Sequence, residues 1–370
     1  MQKRAFFLTH GAISAHFAQN AKDFVVEEIP LYPFSGSGEH LAIKIRKKGL
    51  STWEAVQIIS ERTGVKVRDV GYAGLKDKQA MTVQHLTLPA KFEKAFERFE
   101  HPQLKILETT RHNNKLKLGH LKGNRFFIRL KKVRPHDALK LTEALNKIGE
   151  AGMPNFFGFQ RFGRDGDNYK KARAMLDGEA KIRGRKMQTF LINALQSERF
   201  NAWLSKRLEI SHLIENFKPA EIARELGWET ETIEALKKQP QFFRLLEGDV
   251  MCHYPYGKLY EAEDLNKEAE RFMKHDVAPT GVLSGHRVAL ASKLAAQIET
   301  PFFEDIPASG DRRYAWVFPA VENSRYIEEE GHFELAFSLP KGSYATALLE
   351  EILHDELQPS ALEDKEESSL

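Results

Sequence analysis

Residues 71–88 read GYAGLKDKQAMTVQHLTL, and in them one acid, Asp77, stands between Lys76 and Lys78 in a glycine-bearing turn. Glycine lets a backbone turn tightly, and turns held by a rigid scaffold are where reactive side chains are often mounted. Flanking ammonium groups favour the anionic form of a carboxyl and lower its pKa. An ionised carboxylate can act as nucleophile or base. A solvated surface loop would carry the same three residues. Thr82 and Gln84, which alternate with Met81 and Val83, read equally well as outward strand positions. The turn alone leaves catalysis and plain surface both open.

The elements around the turn are legible from periodicity. KDFVVEEIP from Lys22 and HLAIKIRKK from His40 read as strands, the second with Ile43 and Ile45 alternating with Lys44 and Arg46. Ser51 and Glu54 form a capping-box pattern ahead of a helical stripe of Trp53, Val56 and Ile59 that stops at Gly64. VKVRDV reads as a further strand that delivers the chain to the turn. NRFFIRLKK from Asn124 alternates again, with Phe126, Ile128 and Leu130 on one side and Phe127, Arg129 and Lys131 on the other. A helix follows from near Asp137 to before Gly152, and then the aromatic, glycine-rich run MPNFFGFQRFGRDGDN. From about residue 168 to 274 the periodicity is mainly helical. Strand character returns in HFELAFSL, with Phe333, Leu335 and Phe337 on one face, before the helix YATALLEEIL. The order is sheet, helices, sheet; if the last strand joins the first sheet, the middle is an insertion.

At 370 residues the chain is long for one compact unit and is expected to form two domains. Hydrophobic content of 42% with 29% charged residues excludes a wholly disordered chain, and no apolar run is long enough to suggest a membrane span. The basic N-terminal start is interrupted by histidines and reads as no signal peptide. A lone cysteine, Cys252, excludes an internal disulfide, fits a reducing compartment such as the cytoplasm, and has no neighbours to build a zinc site. Charge is uneven: residues 105–134 hold ten Lys or Arg against the single acid Glu108, whereas residues 351–370 hold seven acids and one lysine. The acidic end, 358–370, is expected to be a flexible tail. The basic stretch suits a groove for phosphates, or an ordinary solvated face.

AKDFVVEE, GLKDKQAMTVQ, RHNNKLKLGHLKGNRFFIRL, PNFFGFQRFG, NALQSERFN, PTGVLSG and FSLPKGSYATALLEE occur in this order over most of the chain. Together they resemble the successive signatures of the TruD family of tRNA pseudouridine synthases. The resemblance implies an α+β fold with a pseudouridine synthase catalytic domain, built on a mixed, mostly antiparallel sheet from residues 1–154 and 310–357. It implies an inserted, helix-rich α/β TRUD domain at 155–309, with tRNA held between domains. The implied reaction converts a uridine of tRNA, position 13 in bacterial members, to pseudouridine, with no dinucleotide, other redox cofactor or metal. No phosphate-loop or dinucleotide fingerprint stands in the chain; GSG at 36–38 is too short.

On the family's pattern Asp77 is the catalytic aspartate, attacking the target nucleotide or stabilising its opened form. Phe126 matches the active-site aromatic, although its pattern fits a core position equally. Asn124 matches a position near the nucleotide, where a carboxamide can donate to and accept from a uracil edge; it could also be a turn-former after Gly123. Lys76 and Gln84 take supporting roles. A uridine stacked in folded tRNA must be flipped out, and phosphate contacts must recover that cost. The basic candidates are Lys115, Lys117, Lys122, Arg125 and Arg129, with Arg161 and Arg164 in QRFGR. Family members commonly carry K-x-x-P-x-D-F, whereas this chain has Ala18 and Ala21 in FAQNAKDF; the lysine's task has moved, with Lys22 nearby, or is not needed. A noncatalytic RNA-binding protein on the same fold, or an enzyme acting on another RNA uridine, are the alternatives. The residues do not fix the oligomeric state, and a monomer is the default.

Overall fold

The structure, a computed structural model, describes residues 4–76, 78–163 and 165–357; Asp77, Arg164 and the acidic tail 358–370 lie outside the described residues. The chain divides into two compact units. One gathers Ser14–Thr142 and Pro319–Gly342, and the other Met1–Ile13, Glu143–Phe318 and Ser343–Pro359. The segment 155–309 lies wholly inside the second unit, which also takes in the residues flanking it and the C-terminal helix.

The first unit is organised by one eight-stranded sheet. Its early strands are β1 (Phe24–Pro30), β2 (His40–Lys48), β3 (Gly71–Tyr72), β4 (Met81–Pro89), β5 (Leu104–His112) and β6 (Leu121–Leu130). The late strands Ala320–Ile327 and His332–Pro340 complete it. Across the sheet they run 320–327, 332–340, β6, β1, β4, β2, β5, with β3 on the side of β4. Every pairing is antiparallel except β1 with β4, so the sheet is mixed and mostly antiparallel. The strand 332–340 does join the early sheet, through β6.

Helix α1 (Thr52–Thr63) covers one face of β2, β4 and β5. It starts as the capping-box pattern requires: the Ser51 hydroxyl accepts the Glu54 N–H at 3.2 Å and the Glu54 carboxylate accepts the Ser51 N–H at 2.7 Å. It ends at Gly64 in the left-handed region, φ 76°. Ala55, Val56 and Ile59 pack against Leu41, Ile43, Ile45, Leu86 and Leu88. Trp53, expected in the inward stripe, is instead 52% exposed, because Thr52, Ala55, Val56 and Ile59 form the buried side.

VKVRDV is not a strand. Val67–Asp69 is a 3₁₀ turn closed by Val70 N–H to Val67 C=O at 3.2 Å, and it buries Val65 and Val70 against the core. The short strand comes after it, at Gly71–Tyr72. The helix expected from near Asp137 is α2 (Pro135–Ala151), beginning slightly earlier.

The second unit is helix-rich with a four-stranded antiparallel sheet ordered 311–314, 277–283, 250–253, 259–261. Its spine is the helix Arg185–Asn216, which buries Phe200, Trp203, Leu204 and Leu208. Aromatic residues of the NFFGFQRFG run, with Glu198 and Glu350, line a cavity of about 330 Å³ in this unit. Among the described residues no helix is long and apolar enough to cross a membrane.

Candidate active site

Strand alternation and register build the site. In one row across the sheet Lys47 pairs with Thr82, Thr82 with Val26, Val26 with Phe126 and Phe126 with Phe337. In the next, Ile45 pairs with Gln84, Glu28 with Asn124 and Asn124 with Leu339. Side chains two apart share a face, so all of these project to the side that α1 covers further along. Most of that face is apolar: Ile43, Ile45, Leu86, Leu88, Ile128 and Leu335 are buried. Lys47, Thr82, Gln84 and Glu28 stand among them at 0–2% exposure. Burying a polar group without a hydrogen bond costs about 1–3 kcal/mol, so this many on one inner face calls for a reason.

The partners converge on Lys76. Its ammonium is buried and ion-paired to Glu28 Oε2 at 3.2 Å, and the other Glu28 oxygen accepts the His85 N–H at 3.2 Å. Its backbone N–H donates to Thr52 Oγ1 at 2.9 Å, and Thr52 in turn donates to Gln84 Oε1 at 2.9 Å. Its carbonyl accepts from Lys47 Nζ at 3.3 Å. The residue preceding Asp77 is therefore held at N–H, C=O and side chain. Lys78 is ion-paired to Glu54 at 2.8 Å; this bond, with the Ser51 cap, draws the Glu54 carboxyl down to about 2. Both lysines that flank Asp77 in the sequence thus have carboxylate partners elsewhere, Glu28 and Glu54.

Three buried polar atoms on this face have no hydrogen-bond partner among the described residues: Gln84 Nε2, Thr82 Oγ1 and Asn124 Oδ1. They offer an amide donor, a hydroxyl and an amide acceptor. The outward-strand reading of Thr82 and Gln84 is excluded by their full burial. Phe126 is 7% exposed and stacks on Phe337 at 5.3 Å and Phe24 at 6.3 Å, so it is a core ring in the same row as the polar groups.

The basic candidates separate into groups. Lys115 and Lys117 lie in the turn between β5 and β6. That turn is tied down by Leu116 N–H to Thr87 Oγ1 at 2.8 Å and by Gly119 N–H to the carbonyl of Ala73, at the start of the Asp77 turn, also at 2.8 Å. Gly71 is required there: a Cβ would meet the Leu116 carbonyl oxygen at 2.4 Å. Lys115 Nζ caps the Arg68 carbonyl at 2.6 Å, while Lys117 is exposed. Lys122 is exposed at the head of β6, and its carbonyl accepts the Lys341 N–H at 3.2 Å. Arg125 and Arg129 alternate with Phe126 onto the opposite face of the sheet, where Arg125 pairs with Glu322 and Arg129 with Glu334 and Asp23. The structure does not bring those two to the buried polar row. Arg161, in the second unit, donates to Ser197 Oγ at 3.1 Å and lies over Phe157.

Sequence reasoning passed over Glu28, Lys47 and Thr52. For the first two a signal existed. Glu28 has the parity of the inward Phe24 and Val26, and Lys47 the parity of Ile43 and Ile45, so each is a charge on an apolar face. Thr52 carried no such mark.

A family model described as tRNA pseudouridine synthase D (TruD) matches residues 1–182 and 180–352. The tRNA pseudouridine synthase D of Wolinella succinogenes is 51% identical over 358 residues, covering 96% of this chain and 99% of its own. That of Helicobacter pylori is 48% identical, covering 94% of each. Among solved structures, a TruD protein of Methanosarcina mazei superposes with a TM-score of 0.66 at 22% identity, covering 96% of this chain and 97% of its own, which shows the shared fold. With a family match over nearly the whole length and relatives at about half identity, the chain belongs to the TruD family of tRNA pseudouridine synthases.

Proposed function

We propose that the protein isomerises uridine 13 of tRNA to pseudouridine, with Asp77 as the catalytic carboxylate and the target base flipped out of its stack. The N1–C1′ bond breaks, the uracil turns, and a C5–C1′ bond forms; C5 loses its proton and N1 gains one, so no second substrate is needed. The observation that carries the reading is the anchored Lys76 beside three buried atoms without a partner among the described residues, Gln84 Nε2, Thr82 Oγ1 and Asn124 Oδ1. A uracil edge, with two carbonyl acceptors and an N3–H donor, is complementary to such a set. Phe126 is the ring against which the detached base turns. Lys117 and Lys122, on or next to the turn bonded to Ala73, are suited to phosphates near the target, with Lys115, Arg125, Arg161 and Arg164 as further RNA contacts. The sheet unit carries the chemistry, and 155–309 is the inserted TRUD domain. The enzyme acts as a cytoplasmic monomer.

Pseudouridine mapping at single-nucleotide resolution tests this, on tRNA from cells with and without the gene and on transcripts treated with purified protein. Native protein is expected to modify position 13, and Asp77→Ala to bind tRNA without modifying it. Modification at another position would overturn the site choice, and an active Asp77→Ala would overturn the role of the carboxylate.

A further inference from the structure

Lys47 stands out among the buried charges. It is 0% exposed on β2, on the face that carries Ile43 and Ile45, opposite Thr82. An ammonium in such a place is heavily penalised unless its surroundings compensate it. Its Nζ donates to the Leu50 carbonyl at 2.5 Å and to the Lys76 carbonyl at 3.3 Å. The second oxygen belongs to the peptide group that joins Lys76 to Asp77. Of the three lysines Lys47, Lys76 and Lys78, Lys76 is paired with Glu28 and Lys78 with Glu54. Lys47 directs its ammonium at the peptide leading into the acid. The opposite side of that residue is held through Thr52 and Gln84. A turn with only a surface role has no use for anchorage from β1, β2 and α1 together.

We infer that Lys47 is a positioning residue for the isomerisation: its buried ammonium fixes the peptide preceding Asp77 and supplies the positive charge that keeps the acid ionised. This rests on the reading of Asp77 as the catalytic carboxylate. It also explains how the chain dispenses with a lysine ahead of DF, where Ala18 is buried instead: the cation comes from a neighbouring strand.

The test uses the full-length chain with Lys47→Met, which keeps the stem without charge, and Lys47→Gln, which keeps a donor without charge. Single-turnover rate on unmodified tRNA, tRNA dissociation constant and melting temperature are read for each. Displacing a reacting group by about 1 Å costs on the order of 100-fold in rate. The expected result is a loss of about that size in both variants, at native tRNA affinity and at a temperature where each variant is fully folded, with a lowered melting temperature in Lys47→Met because the Leu50 and Lys76 carbonyls lose their donor. A purely structural lysine would lose rate only in step with stability. A native-like rate in either variant, a rate loss that disappears at temperatures where the variant is fully folded, or failure of both variants to fold overturns the inference. Asp77→Ala is measured alongside. If it is active, the carboxylate assignment itself fails; if it is inactive while Lys47→Met is active, only the role given to Lys47 fails.

Discussion

Separating Glu28 from Lys76 should expose how much of the turn that carries Asp77 depends on one buried ion pair. The side chains are 1% and 6% exposed and meet at 3.2 Å. At an effective dielectric of about 20 their attraction is about 5 kcal/mol, largely spent on desolvating both ions. Removing one partner leaves the other charge buried, which typically costs about 3–5 kcal/mol, a large part of the roughly 5–15 kcal/mol that holds a domain folded. Glu28→Gln is the clean perturbation, since its carboxamide oxygen can still accept the His85 N–H that Glu28 accepts at 3.2 Å. The expected loss in urea unfolding is about 3–5 kcal/mol, with no change in slope. Lys76→Met should cost a similar amount. The double variant should recover most of it, because a buried pair replaced by groups without charge is often close to neutral. Its coupling energy should therefore be about 3 kcal/mol or more. If the two losses instead add to within about 0.5 kcal/mol, the pair is not coupled and the reasoning is refuted. On the role proposed for Asp77, activity should not recover in the double variant, because the Glu28 anchor of the residue preceding it is gone while only the Lys47 and Thr52 contacts remain.

Thr52→Val keeps the shape of Thr52 but strands the Lys76 N–H and the Gln84 carbonyl oxygen it bridges; about 1–3 kcal/mol per stranded group should be lost in denaturant unfolding, together with turnover. Gly71→Ala drives a Cβ to 2.4 Å from the Leu116 carbonyl, so the Lys115–Lys117 turn must shift. Stability should fall by about 1–3 kcal/mol, and filter binding should show weaker tRNA affinity with a shallower salt dependence. In the second unit, burial pushes the Glu350 carboxyl up to about 7 against the opposing ion pair with Arg4. The unfolded chain ionises near 4.5 while the folded state resists, so stability present below about pH 4.5 is lost as pH rises through 7. Glu350→Gln should abolish that decline, worth about 3 kcal/mol, in a comparison of unfolding curves from pH 4.5 to 8.

Much of the local structure was written in short-range pattern. Ser51 and Glu54 set where α1 starts and Gly64 where it stops, because caps and left-handed turns are satisfied by neighbours in the chain. The alternation in residues 124–131 and 332–340 fixed which side chains share a face. The Asp77 turn was singled out by its residues, and the family by seven signatures in order. What alternation leaves open is which face a strand buries and which strand it meets. Thr82 and Gln84 could have pointed to water; their burial follows from β4 lying between β1 and β2 under a covered face. Alternation already sets Arg129 on the side opposite Phe126, but which acids meet Arg125 and Arg129 there, Glu322 and Glu334, is decided only by the folded sheet. VKVRDV alternates well enough for a strand, but Val65 and Val70 reach the core through a 3₁₀ turn. The pairing of β6 with the strand 332–340 spans some two hundred residues, and the contacts of Lys76 with Glu28, Lys47 and Thr52 span 24 to 48. Periodicity is a property of neighbours along the chain, whereas the compensation of a buried charge is decided by whatever the fold brings alongside it.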